Sequence, residues 1–120
     1  MKLQLTSNGV VVATATLDNH DSAHDLLGML PLRLMLRDYA GTEKIADLPR
    51  ALRADGMSAA YTPFAGDICF YAPWGNLAIF YRNGERSEGL VRIGRLDSGM
   101  DAIRCVGEET VMLGLRGATD

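Results

Sequence analysis

The chain has 120 residues, of which 48% are hydrophobic and 22% charged, a make-up that fits one globular domain over 1–120, since single cores commonly span about 100–150 residues. A net charge of −3 leaves no clustered basic surface, so nucleic acid is not expected as a partner. No membrane partner is expected either: no apolar run approaches the ~20 residues of a spanning helix, and Met1 to Val10 lacks the layout of a secretion signal, which points to the cytoplasm.

Asn8-Gly9 lies between Leu3, Leu5 and Val10, Val12, Leu17, the pattern of a two-residue hairpin turn, and predicts strands at 2–7 and 10–17. Asp21 or Ser22 then offers a cap for a helix whose apolar face is Ala23, Leu26, Leu27 and Leu30, ending at Pro31. Gly28 inside that helix costs up to about 1 kcal/mol of propensity, which suggests close packing against a strand. Leu32, Leu34 and Leu36 alternate with Arg33, Met35 and Arg37 at the period of a half-buried strand.

Tyr39 to Thr62 is broken by Gly41, Pro49 and Gly56 and reads as irregular, with one short strand near Lys44 and a helical turn around Pro49 to Arg53. Long loops of this kind are often functional. Gly66 to Tyr81 reads as two apolar strands joined by Pro73-Trp74-Gly75-Asn76, and Asn83 to Glu88 as a polar exposed loop. Gly89 to Leu96 is a strand, Gly99 to Ile103 a turn with one helical coil, and Thr110 to Leu115 a last strand with Val111, Leu113 and Leu115 on one face. Many short strands and one main helix argue for a mainly β chain whose antiparallel sheet closes, or nearly closes, into a barrel without exposed edges. Cys69 and Cys105 have neither C-x-x-C spacing nor a second pair, and read as two reduced thiols.

Ile93-Gly94-Arg95-Leu96-Asp97-Ser98-Gly99-Met100-Asp101-Ala102-Ile103 is similar, position by position, to the F-G-x-V-x-x-G-M-x-x-V unit near the end of cyclophilins. Gly66 to Ala72 resembles their G-x-L-x-M-A-N strand, and Leu77 to Tyr81 their S-Q-F-F-I strand, in the same order. Tyr39 to Ile45, Leu48-Pro49 and Thr62 to Asp67 resemble a narrower group, the small atypical bacterial cyclophilin-like proteins. The resemblance implies a cyclophilin-like β-barrel and brings no established activity with it.

Prolyl isomerisation must overcome amide resonance of about 18–20 kcal/mol, which a catalyst does by binding the twisted amide better than either planar isomer. An arginine donating towards the proline nitrogen, over an apolar floor, serves that purpose. In cyclophilins it comes from an F-H-R strand followed by F-m-x-Q; Arg33, Arg37, Arg50 and Arg53 lie in the corresponding region here without those neighbours. The groove glutamine falls on Ala78, which cannot hydrogen-bond a substrate, while the pocket phenylalanine is kept as Phe80.

Other constellations are weaker. His20 and His24 stand among Asp18, Asp21 and Asp25, but acidic residues at a helix start favour its dipole and explain the cluster without a metal. Ser98 lies in a turn-forming Asp97-Ser98-Gly99, and no G-x-S-x-G or G-x-G-x-x-G motif is present, so neither a nucleophile nor a cofactor is expected. Arg92 and Arg95 read as the solvated face of a strand, and Glu43 with Lys44 as a surface pair.

Aromatic residues give the better lead. Trp74 sits at a hairpin tip, and Tyr39, Tyr61 and Phe64 come from a segment able to fold beside it, either as a ligand surface or as a plug for the barrel's mouth. The leading expectation is a module that binds a small molecule or extended peptide beside Phe80 and Ala78, with Trp74, Tyr39 and Tyr61 nearby and the backbone of Tyr71 and Ala72 offering hydrogen bonds. A divergent peptidyl-prolyl isomerase with a relocated arginine, and a homo-oligomer burying Trp74, are the alternatives.

Overall fold

Alternation of apolar and polar side chains makes most of this chain into strands, and the computed structural model describes residues 1–53 and 60–117. Strands β1 (Lys2–Ser7) and β2 (Val10–Leu17) form the first hairpin. Its turn residues Asn8 and Gly9 have φ of 51° and 80°, the left-handed pair that such a turn requires. Helix α1 (Asp21–Leu27) is shorter than its apolar spacing predicts. Its cap is His20, not Asp21 or Ser22: the ring Nδ1 accepts from the Ala23 amide at 3.2 Å while Nε2 lies 2.8 Å from the Arg92 carbonyl. Gly28 closes the helix, and a Cβ there would meet only the helix's own carbonyls, the nearer 3.5 Å away, so no strand packs on it.

Next come β3 (Leu32–Tyr39) and β4 (Glu43–Asp47). The helical turn expected at Pro49 to Arg53 is absent, because Asp25 of α1 already satisfies that segment. Its carboxylate takes the Arg50 guanidinium at 2.8 and 2.9 Å and the Arg53 amide at 2.8 Å. Of the predicted irregular segment, 54–59 lie outside the described residues. Then follow β5 (Ala60–Tyr61), β6 (Asp67–Tyr71), β7 (Asn76–Phe80), β8 (Ser87–Glu88), β9 (Leu90–Ser98), helix α2 (Met100–Cys105) and β10 (Glu109–Leu115).

Eight strands close an antiparallel barrel in the order β1-β10-β3-β4-β7-β6-β9-β2, while β5 and β8 pair separately as a short ribbon. Inward side chains such as Leu3, Leu34, Phe70, Ile79 and Ile93 form the main core, which Ala23 and Leu26 of α1 and Ile103 of α2 join. Val111 and Leu113 are buried as expected, but Leu115, at the end of β10, remains exposed. No helix among the described residues is long and apolar enough to cross a membrane.

A second, smaller core lies on the outside of the barrel. Ile45, Cys69, Ala78, Phe80 and Leu90 have the opposite phase to the inward residues of the same strands and are nonetheless buried. Four neighbouring strands, β4-β7-β6-β9, are thus apolar on both faces, and the outer face requires a cover.

The turn from β9 into α2 depends on Gly99, whose φ is 88° and whose added Cβ would lie 2.6 Å from Ala13 Cα. Gly41 also has positive φ, 64°, but faces open space. Gly99→Ala should therefore lose about 3 kcal/mol in urea unfolding, combining left-handed strain with a backbone clash, and Gly41→Ala only about 1 kcal/mol.

Candidate functional site

The cover over the outer face comes from the segments 60–66 and 82–89, and a buried carboxylate secures it. Asp67, 1% exposed, accepts from the Tyr61 hydroxyl at 2.5 Å and from the Phe64 amide at 2.9 Å. Asn83 Oδ1 accepts from the Ala65 amide at 2.8 Å, and the Gly84 amide donates to the Pro63 carbonyl at 3.0 Å. A Cβ on Gly84 would stand 2.8 Å from both Phe80 Cε2 and Pro63 Cγ, so the absence of a side chain lets this cover lie directly on the Phe80 ring.

Between this cover and the end of β3 the outer face stays open as a cleft of about 470 Å³. Register decides what faces it. Glu43 sits opposite Tyr39 of β3 on one side and Phe80 of β7 on the other. Asn76 is flanked by Tyr71 of β6 and Asp47 of β4. Trp74, in the β6–β7 turn, lies with its ring centroid 5.3 Å from that of Tyr39 and 5.4 Å from that of Tyr71, at interplanar angles of 82° and 79°. Phe80 and Leu90 supply apolar surface, and Asn83, Glu85 and Ser87 line the side formed by the cover.

Four of the sequence-predicted residues, Tyr39, Tyr71, Trp74 and Phe80, are thus brought to one cleft. Three are not. Ala78 is fully buried in the outer core, Ala72 is exposed away from the cleft, and Tyr61 turns to Asp67. The backbone groups expected to meet a ligand are engaged within the protein: the Ala72 amide donates to the Gly89 carbonyl at 2.9 Å, and the Tyr71 carbonyl accepts from the Gly75 amide at 2.9 Å. Phe64 is exposed and also outside the cleft lining.

Two polar lining residues were not among the sequence candidates for the site, Glu43 reading as a surface pair with Lys44 and Asn76 as part of a turn. Glu43 is in phase with Ile45, and Asn76 with Ala78 and Phe80, so both belong to the buried outer face. A polar side chain interrupting an apolar phase was the available signal. Asn76 is 2% exposed and Glu43 forms no ion pair with the described residues, while the buried side-chain atom left without a partner among those residues is Arg92 Nε. Burial, reinforced by the negative charge of Asp38, pushes the Glu43 carboxyl up to about 7. Asp38 is itself held below the usual carboxylate range by the hydrogen bond from the Tyr81 hydroxyl. Burial pushes the Cys69 thiol up, which keeps it neutral beneath the cleft.

Lys44 is not a surface partner of Glu43, because adjacent strand residues point to opposite faces. It is 5% exposed, donates to the Val106 carbonyl at 2.5 Å and lies 3.5 Å from Asp38. Arg92 likewise leaves the solvated face: it is half-buried, 3.0 Å from Asp18 and 3.9 Å from Asp67, whereas Arg95 is exposed. Ser98 shares a 2.7 Å hydrogen bond with Thr14, and His24 lies 2.8 Å from Asn19. Among the described residues no arginine lines the cleft; Arg50 is committed to Asp25 and Arg37 to Asp47.

A sequence profile of the cyclophilin-like family matches residues 5–115. The solution structure of a hypothetical protein from Archaeoglobus fulgidus is similar in fold, with a TM-score of 0.68 over 95% of this chain and 93% of that one, at 14% identity. No curated protein matches the sequence.

The Glu43 shift has a stability consequence with a definite sign. Its carboxyl titrates at 4.5 unfolded and at about 7 folded, so between these values the native state holds the extra proton and stability falls as pH rises. Glu43→Gln removes that loss. Urea unfolding should find variant and wild type alike near pH 4, and the variant more stable near pH 8 by about 1–2 kcal/mol, the full shift being reduced because the group is half solvated.

Proposed function

This chain belongs to the cyclophilin-like family, and we propose that it is a binding module which takes its ligand in the outer-face cleft. The observation that carries the proposal is the make-up of the cleft: about 470 Å³ of open space is lined by the aromatic rings of Tyr39, Tyr71, Trp74 and Phe80 together with the polar side chains of Glu43 and Asn76. Pockets of about 300–1,000 Å³ with apolar walls and a few convergent polar groups are the usual form of small-molecule sites.

Isomerisation draws less support. Phe80 is present as an apolar floor, but it lies under Gly84 and Pro63, and the described lining offers no arginine to meet a twisted amide. Extended peptide pairing is also disfavoured, since the Ala72 amide and Tyr71 carbonyl are already bonded within the protein. A compact ligand, or one side chain of a larger partner, fits the cleft better.

Two measurements check this reading. Amide NMR shifts on addition of a mixture of small aromatic and aliphatic fragments should cluster at Glu43, Trp74, Asn76 and Asn83, and Trp74→Ala should weaken them about tenfold or more; shifts scattered over the barrel would contradict it. A protease-free assay on a proline peptide should remain at the uncatalysed rate.

A further inference from the structure

We propose that the cleft recognises an organic ammonium group, with Tyr39, Tyr71 and Trp74 as its aromatic walls and Glu43 and Glu85 as its counter-charges. The inference rests on the binding reading above and names its ligand class. Three facts of geometry support it. Tyr39, Tyr71 and Trp74 line the cleft together, the two tyrosines packing edge to face with Trp74 at 82° and 79°, and Tyr39 and Trp74 stay exposed beside the open space. Ring faces carry the negative end of the aromatic quadrupole and attract alkylammonium cations.

Charge points the same way. Glu43 and Glu85 both line the cleft, no lysine or arginine lines it among the described residues, and neither carboxylate forms an ion pair with those residues. Lys44 and Arg37, which stand close in sequence or across the sheet, are occupied by Asp38 and Asp47. An anionic ligand would meet two carboxylates and no cation. The third fact is Asn76: its side chain lines the cleft, and an amide oxygen is an acceptor for an N–H donor or for a methylated cation's positive carbons.

Occupation by a cation also gives the protonation of Glu43 a role. The groups around Glu43 are Asp38 and Tyr39 on β3, Lys44 beside it on β4, Cys69 on β6, Tyr81 after β7, and Glu85 from the cover. Of these, Asp38 is held ionised and Cys69 held neutral, and Glu43 is the carboxyl brought to about 7. An entering cation favours the carboxylate, so binding releases a proton from Glu43, and affinity rises with pH by up to tenfold per unit below about 7 and levels off above it.

Calorimetric titration of the full chain at pH 6 and pH 8 tests this, with choline, butylammonium and the amide-capped lysine N-acetyl-lysine-methylamide as ammonium probes. The neutral control is 3,3-dimethylbutan-1-ol, the carbon isostere of choline. At least one ammonium probe should bind, and choline or butylammonium binding without the capped lysine would assign a free amine over a peptide side chain. The neutral control should be at least tenfold weaker than the best cation. Glu43→Gln should weaken that cation about tenfold or more at pH 8 and flatten its pH dependence, while thermal unfolding confirms that the variant is folded. A control that binds in the cleft as tightly as every cation would overturn the ammonium inference and leave the binding module standing. Failure of every cation, with fragments still shifting Trp74 and Asn76, would do the same; failure of cations and fragments together would remove both readings.

Discussion

The cover over the outer sheet face hangs on one buried carboxylate. Asp67 begins β6, is 1% exposed, and gathers the Tyr61 hydroxyl and the Phe64 amide while Arg92 stands 3.9 Å away. Removing a partner from such a buried, hydrogen-bonded charge is costly, by about 3–5 kcal/mol, whereas an exposed pair contributes little. That asymmetry fixes the segment 60–66 on the barrel. With the segment fixed, Phe80, Ala78 and Cys69 are shielded from water, and the cleft exists only where the cover stops short of Tyr39 and Glu43.

Two constraints therefore meet on strands β4, β7, β6 and β9. Their inward phase fills the barrel, and their outward phase builds a second apolar layer interrupted by Glu43 and Asn76. Such interruptions are expensive within a fold and are retained where they serve recognition. The raised Glu43 carboxyl reports that expense directly, since burial is its main cause. With no arginine lining it among the described residues, the cleft presents aromatic, amide and carboxyl groups.

Local signals in the sequence were sufficient for most of the frame. Asn8-Gly9, the Pro73 to Asn76 turn and the period-two runs located the barrel strands, because turn conformation and alternation are properties of neighbouring residues. What is decided between distant strands was not legible. Arg92 and Lys44 look solvent-facing until Asp18, Asp67, Asp38 and the Val106 carbonyl are brought beside them. His20 caps α1 because the Arg92 carbonyl steadies its ring from 72 positions away, and the 49–53 segment stays irregular because Asp25 reaches it. Tyr39 and Trp74 were recognisable as aromatic candidates, but their meeting follows from β4 lying between β3 and β7, a register no local pattern states. Tyr61 was drawn off by Asp67 for the same reason.

Glu43 reports how far the cleft excludes water, because burial holds its carboxyl away from its solution state. Carbon-13 NMR of the Glu43 side-chain carboxyl across pH 3 to 9 tests it most directly. A titration midpoint near 7 is expected for the buried carboxyl, and a midpoint at the ordinary 4.5 would place Glu43 in free solvent and contradict a water-excluding cleft.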